Sequence, residues 1–173
     1  GSAGLLIALS IVHGFKSTIN EKILGFAPHI TVMTFTDQPI FRADTLVTYL
    51  DRFEEIESSQ IVSEGQVMVQ TKNGITGTIL KGISNPEISA FKDYITRGSF
   101  DLRKDSTGFP GIILGADVAQ ILGADLGSII TTYTIQGVPT LVNSPEIQQF
   151  RLTGIYETGV DIFDELYAIS DRS

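Results

Sequence analysis

The pattern of apolar and polar positions divides the chain into a helical beginning and a strand-rich remainder. Ala3 to Val12 is almost continuously apolar. Ten such residues span about 15 Å as a helix, half of a hydrocarbon core of roughly 30 Å. That segment reads as a core helix, a signal-peptide apolar region or the outer end of a membrane helix. The missing A-x-A cleavage pattern ranks the signal reading last. From Gly14 the pattern becomes amphipathic: Phe15, Ile19 and Ile23 repeat every four residues opposite Lys16, Asn20, Glu21 and Lys22. Gly25 suits a helix stop and Pro28 blocks continuation. Alternation over His29–Phe35 predicts a strand. A second helix opens at Ala43-Asp44, with Leu46, Tyr49, Leu50, Phe53 and Ile56 on its apolar face and Glu54, Glu55 and Glu57 on its solvated side.

Beyond residue 60 short β-rich runs take over. Gln66–Thr71 and Ile75–Lys81 flank Lys72-Asn73-Gly74, which predicts a hairpin with a type I′ turn, since Asn-Gly tolerates positive φ at both central positions. Glu87–Tyr94 suits a short helical segment. Gly111–Thr134, "GIILGADVAQILGADLGSIITTYT", reads as strand, helix over Gly115–Leu122, turn and strand, with Val118, Ile121 and Leu122 as core contacts and Gly123 as the helix stop. Asp125-Leu126-Gly127 reads as a turn. Phe150–Tyr156 and Leu166–Ser170 suit two more strands. The fold class is α+β with a β-rich second part.

Composition narrows the function. With 42% hydrophobic and 18% charged residues the chain folds rather than remaining disordered. A net charge of −8 argues against nucleic acid and anionic membrane surfaces as partners. No cysteine is present, which removes disulfides, thiolate metal sites and cysteine nucleophiles.

The glycines of the 111–134 module invite a phosphate reading, but the chemistry is missing. A phosphate loop requires a lysine and a hydroxyl after its last glycine, and a dinucleotide fingerprint requires G-x-G-x-x-G. Neither occurs, and Asp117 and Asp125 place negative charge where an anion would sit. His13 and His29 lack a third ligand at usable spacing, so no metal site is expected. A Ser-His-Asp triad is assembled in space, so spacing does not address it, but no G-x-S-x-G elbow is present. Asp161, Asp164 and Glu165 read as a solvated acidic loop without EF-hand spacing. No catalytic residue, metal or cofactor is expected, and the chain is not expected to be an enzyme.

Four stretches, in order, resemble the extracytoplasmic domain of lipoprotein-releasing ABC permeases (the LolC/LolE type) within the wider MacB/FtsX-like family. They are "LIALSIVHGFKSTINEKILGFAPHITV", "KGISNP", "RGSFDL" with "GIILGADVAQILGADLGSIITTY", and "FRLTGIYETGVDIFDELYAIS". Gly111, Gly115, Ala119, Leu122, Gly123, Gly127, Gly154, Gly159 and Asp164 match the family's structural motif, while Ser128 stands where the family often has a turn aspartate.

The resemblance implies a non-catalytic periplasmic domain of a Gram-negative inner-membrane permease. Residues 1–14 would be a tag remnant and the outer end of the first membrane helix. Residues 15–60 would be the first half of an incomplete βαβ porter-like part, and 61–173 an inserted β-rich sabre-like part. Implied partners are a second permease subunit or copy, a separate cytoplasmic ATPase, a lipoprotein substrate and a soluble periplasmic carrier. The resemblance further implies a carrier-hooking loop within Tyr133–Gln148, with Ile135, Val138, Pro139, Leu141 and Val142 as contacts. Two other family roles remain open here: an exporter permease docking an adaptor, and a relay activating a cell-wall hydrolase.

Overall fold

The computed structural model describes residues 28–34, 39–84, 87, 89–134 and 146–172. The chain divides into two compact units, Gly1–Ile40 and Phe41–Ser173. The apolar run at 3–12 and the amphipathic run from 14 lie outside the described residues. In the first unit, residues 28–34 carry no strand, contrary to the alternation there, and Phe35 is not described. Alternation proposes a strand, but a strand exists only when a neighbour completes its hydrogen-bond ladder. Among the described residues no ladder includes these positions.

The second unit begins with helix α1, Ala43–Leu50, none of whose residues is buried. The predicted helix extended its apolar face to Ile56, but the chain leaves α-geometry at Asp51. Arg52, Phe53 and Ile56 donate instead to carbonyls three residues back. Short helices depend on packing to propagate, and here no burial supports another turn.

Seven strands follow among the described residues: β1 Val62–Gln70, β2 Ile75–Ile83, β3 Ile95–Gly98, β4 Gly111–Gly115, β5 Ile129–Thr134, β6 Glu146–Tyr156 and β7 Tyr167–Asp171. Six of them close on themselves in the order β6-β4-β7-β2-β1-β5, because β5 also pairs with β6. The β4–β6 and β2–β7 ladders are parallel and the other four antiparallel. Closure removes the free edges that an open sheet of this length would offer. β3 extends the sheet by pairing with the end of β6. The unit is α+β, as read from the sequence, with few helices on a mixed sheet.

The interior of the barrel follows from period-two alternation. Val67 and Val69, Ile130, and Phe150 and Leu152 point inward and are buried, whereas Met68 between the two valines is 41% exposed. β4 is buried along its whole length, as suits a strand covered on both faces. Ile112 and Leu114 face the barrel cluster. On the other side a second apolar layer gathers Phe91, from a 3-10 turn at Ala90–Tyr94, with Tyr156, Phe163 and Tyr167. The Phe91 and Tyr156 rings meet edge to face at 4.8 Å. Burial pushes the Tyr156 phenol pKa up, and the nearby Asp164 charge adds to it. The neutral hydroxyl donates to the Phe163 carbonyl at 2.7 Å, with the Tyr167 carbonyl at 3.0 Å.

Helix α2, Ala116–Ile121, joins the barrel cluster through Val118, Ala119 and the following Leu122. Ile121, expected in the core, is 55% exposed. With 3.6 residues per turn Ile121 falls nearly opposite the buried Ala119, at the edge of the face that Val118 and Leu122 turn to the core. The Asn-Gly hairpin is present, with Gln70 opposite Ile75, but its turn is not type I′. Lys72, Asn73 and Gly74 all avoid positive φ. Tertiary contacts override the local preference. Thr71 Oγ1 accepts from the Asn73 and Gly74 amides and donates to the Leu122 carbonyl, and Asn73 Nδ2 donates to the Gly123 carbonyl at 3.0 Å. The hairpin tip is thereby fastened to the end of α2. A side chain at Gly74 would collide with the Ile121 carbonyl.

Candidate partner-binding hairpin

β5 and β6 form the hairpin that carries the sequence-predicted contact loop. Their register runs from Ile129 opposite Arg151 to Thr134 opposite Glu146. Of the Tyr133–Gln148 stretch read as loop, Tyr133, Thr134 and Glu146–Gln148 are strand residues. The loop reading is corrected there: facing β5, these positions satisfy a ladder that a loop would leave open. The five predicted contacts, Ile135, Val138, Pro139, Leu141 and Val142, lie outside the described residues.

The hairpin is anchored on both sides. β1 pairs with β5 through Val67–Gln70, placing Met68 opposite Tyr133. The Tyr133 hydroxyl donates to Gln70 Oε1 at 2.8 Å. Inside the barrel Ile130 and Phe150 are buried, and Thr132 satisfies its hydroxyl on the Gln148 carbonyl. On the outer face Ile147 is 59% exposed beside Tyr133, its cross-strand partner. The outer face thus has apolar side chains while the inner face fixes register.

At the base of the hairpin, Arg151 ties three segments together. Its Nε donates to Asp105 Oδ2 at 2.7 Å, one amine to the Gly127 carbonyl and the other to Thr107 Oγ1. The guanidinium also lies 5.6 Å from the centre of the Phe109 ring. Asp105 Oδ1 accepts from the Thr107 amide and hydroxyl and the Phe109 amide. These hydrogen bonds, the Thr107 hydroxyl first and Arg151 next, hold the Asp105 carboxyl well below the usual carboxylate range. Nearby, Arg103 grips Asp101 with two nitrogens and lowers its pKa to about 2. The groove between this loop and β6 is lined by Lys104, Phe109, Pro110, Ile147 and Gln149. Sequence reading missed Arg151 and Asp105, because their separation of 46 residues leaves no local signal.

The motif residues fall around this scaffold. Gly111, Gly115 and Gly154 sit where the Asp101, Asp164 and Ser99 carbonyls approach, and Gly123, Gly127 and Gly159 take positive φ. Gly123, at φ 54°, closes α2 as expected of a helix stop. The Asp125–Ser128 turn is closed by the Ser128 amide on the Asp125 carbonyl and the Asp125 amide on Ser128 Oγ. Ala119 and Leu122 are core residues.

Asp164 corrects the solvated-loop reading. It lies in helix α3, Asp161–Leu166, and is buried, whereas Asp161 and Glu165 are exposed. Its carboxylate accepts from the Thr158 amide and hydroxyl and the Gly159 amide. The signal available in the sequence was Thr158-Gly159 five to six residues before an aspartate, a spacing that suits a carboxylate returning to cap its own loop. Among the described residues no three histidine, aspartate or glutamate side chains come together to hold a metal, and no helix is long and apolar enough to cross a membrane.

Comparison with known proteins finds no matching family model. The chain is similar to the lipoprotein-releasing system transmembrane protein LolC of Neisseria meningitidis, 28% identical with 98% of this chain and 41% of that protein covered. The same-named protein of Xylella fastidiosa is 24% identical over 98% of this chain and 41% of its own length. That of Haemophilus influenzae is 28% identical over 75% of this chain and 32% of its own length. The chain therefore spans about two fifths of the length of the first two relatives. Over nearly its whole length in two relatives the chain is thus similar to lipoprotein-releasing system transmembrane proteins, and in that sense it is LolC-like.

Proposed function

We propose that this chain is the periplasmic domain of an inner-membrane permease that takes lipoproteins from the membrane and passes them to a soluble periplasmic carrier. The observation that carries the reading is similarity to LolC proteins along 98% of the chain in two relatives. On this reading the barrel is the sabre-like part, residues 15–60 contribute to a porter-like part, and 1–14 hold the end of a membrane helix. A separate cytoplasmic ATPase supplies the energy and a second permease subunit or copy completes the transporter. The chain itself does no catalysis.

The partner contact in this proposal is the segment joining β5 to β6. The barrel pairs β5 with β1 and β6 with β4, so Thr134 and Glu146, which flank the proposed contacts in sequence, lie opposite each other on a fixed ladder. In sequence, Ile135, Val138, Leu141 and Val142 flank Pro139 with apolar side chains whose area a partner would remove from water. Val138→Asp and Leu141→Asp are expected to weaken capture of a purified periplasmic lipoprotein carrier while leaving the far-ultraviolet circular dichroism spectrum unchanged. Undiminished capture by both variants would overturn the assignment of these residues.

A further inference from the structure

The Asn73-Gly74 pair lies outside the β5–β6 hairpin, and it is the dipeptide type most prone to deamidation. In a free chain the glycine amide nitrogen, having given its proton to solvent base, attacks the asparagine Cγ. Ammonia leaves, a succinimide ring forms, and water reopens the ring to aspartate or isoaspartate. Glycine favours the attack because no side chain shields its nitrogen.

We infer that Asn73 is a latent deamidation site that the fold keeps closed, so that modification reports detachment of the β1–β2 hairpin tip from helix α2. Three contacts oppose ring closure. The Gly74 amide is held by Thr71 Oγ1 at 3.3 Å. The leaving amide nitrogen, Asn73 Nδ2, donates to the Gly123 carbonyl at 3.0 Å. Gly74 is wedged so closely against the Ile121 carbonyl that a Cβ would not fit. For the nitrogen to swing toward Cγ, the tip must lift off the end of α2, a local opening rather than global unfolding. Both Lys72 and Asn73 are exposed, so water and base reach the site. The barrier is therefore conformational rather than one of access.

The product does not fit where the reactant did. An aspartate at 73 presents a carboxylate oxygen to the Gly123 carbonyl in place of a donating amide, so attraction becomes repulsion. The tip then stays loosened, and the contact that positions α2 over the barrel cluster is weakened irreversibly.

The test is incubation of the whole chain at mildly alkaline pH, folded and in urea, with deamidation at Asn73 read by peptide mapping and mass spectrometry. The folded rate should be roughly 5–30-fold slower, the factor that holding energies of one or two kcal/mol produce. Thr71→Ala, checked for retained fold by circular dichroism, should move the folded rate toward the urea rate. Thr71→Ser keeps the hydroxyl and should stay near the unsubstituted rate. Asn73→Asp should keep its circular dichroism spectrum but show faster amide exchange at Gly74 and Gly123. Equal rates in the folded and urea-treated wild-type chain would overturn the inference whatever the variants do. So would a folded Thr71→Ala variant that deamidates no faster.

Discussion

Asp164 and Thr158 are joined twice: one carboxylate oxygen, Oδ1, accepts from the Thr158 amide at 2.8 Å and from its hydroxyl at 2.9 Å. The other oxygen takes the Gly159 amide at 3.0 Å. The pair closes the loop between β6 and α3 with its donors out of water. Asp164→Ala should therefore cost about 2–6 kcal/mol, since the Thr158 and Gly159 amides lose their acceptor and an unpaired buried donor costs about 1–3 kcal/mol. Urea denaturation of the variant would measure it. A loss within experimental error of zero would show that water replaces the carboxylate.

Gly115 tests the same region from the other side. Its Cα faces the Asp164 backbone carbonyl so closely that any Cβ would overlap it. Gly115→Ala must push α3 away from the end of β4, and overpacking of this kind costs typically 1–3 kcal/mol. The expected readout is a lowered thermal midpoint with disturbed near-ultraviolet circular dichroism from Tyr156 and Tyr167. Gly65→Ala, where nothing lies near the position a Cβ would take, is the control.

The helix α2 register yields a contrast between neighbours. Leu122 is fully buried and Ile121 is 55% exposed. Leu122→Ala should cost about 2–5 kcal/mol, the range for buried leucines. Ile121→Ala should stay within about 0.5 kcal/mol of wild type, as for surface positions. Denaturant midpoints of the two variants decide it, and similar losses for both would contradict the observed helix orientation.

Acid should weaken the Arg151 junction. The folded pKa values of Asp101 and Asp105 lie below their ordinary value of 3.8, so the folded state favours their ionised forms. The stability this contributes is complete above about pH 4 and is lost as pH falls toward the folded values, about 2 for Asp101 and lower still for Asp105. Asp105→Asn should be less stable than wild type at neutral pH, and the gap should narrow as pH drops below 4 toward 2. Thermal midpoints measured across that range provide the check. A constant gap would mean that Asp105 acts through its shape alone.

Much of the architecture was legible locally. The Asn-Gly hairpin, the strand–helix–strand module at 111–134 and the last two strands follow from period, breakers and turn chemistry, which are properties of adjacent residues. Gly123 as a helix stop and the turn at Asp125-Leu126-Gly127 belong to the same class. The absence of a phosphate-loop lysine was likewise readable without coordinates.

Other features required the tertiary structure. Sheet closure through β5 and β6, the Arg151–Asp105 junction and the burial of Asp164 depend on groups brought together from distant sequence positions. The Asn73-Gly74 turn shows the two levels in opposition. Adjacent residues favoured positive φ there, but the end of α2, about fifty residues away in sequence, held the tip in another geometry. Alternation over His29–Phe35 likewise proposed a strand, and residues 28–34 carry none. The sequence alone determined which segments had strand, helix or turn character, because those preferences are local. Pairing, burial and the final turn geometry were decided only when long-range contacts outweighed them.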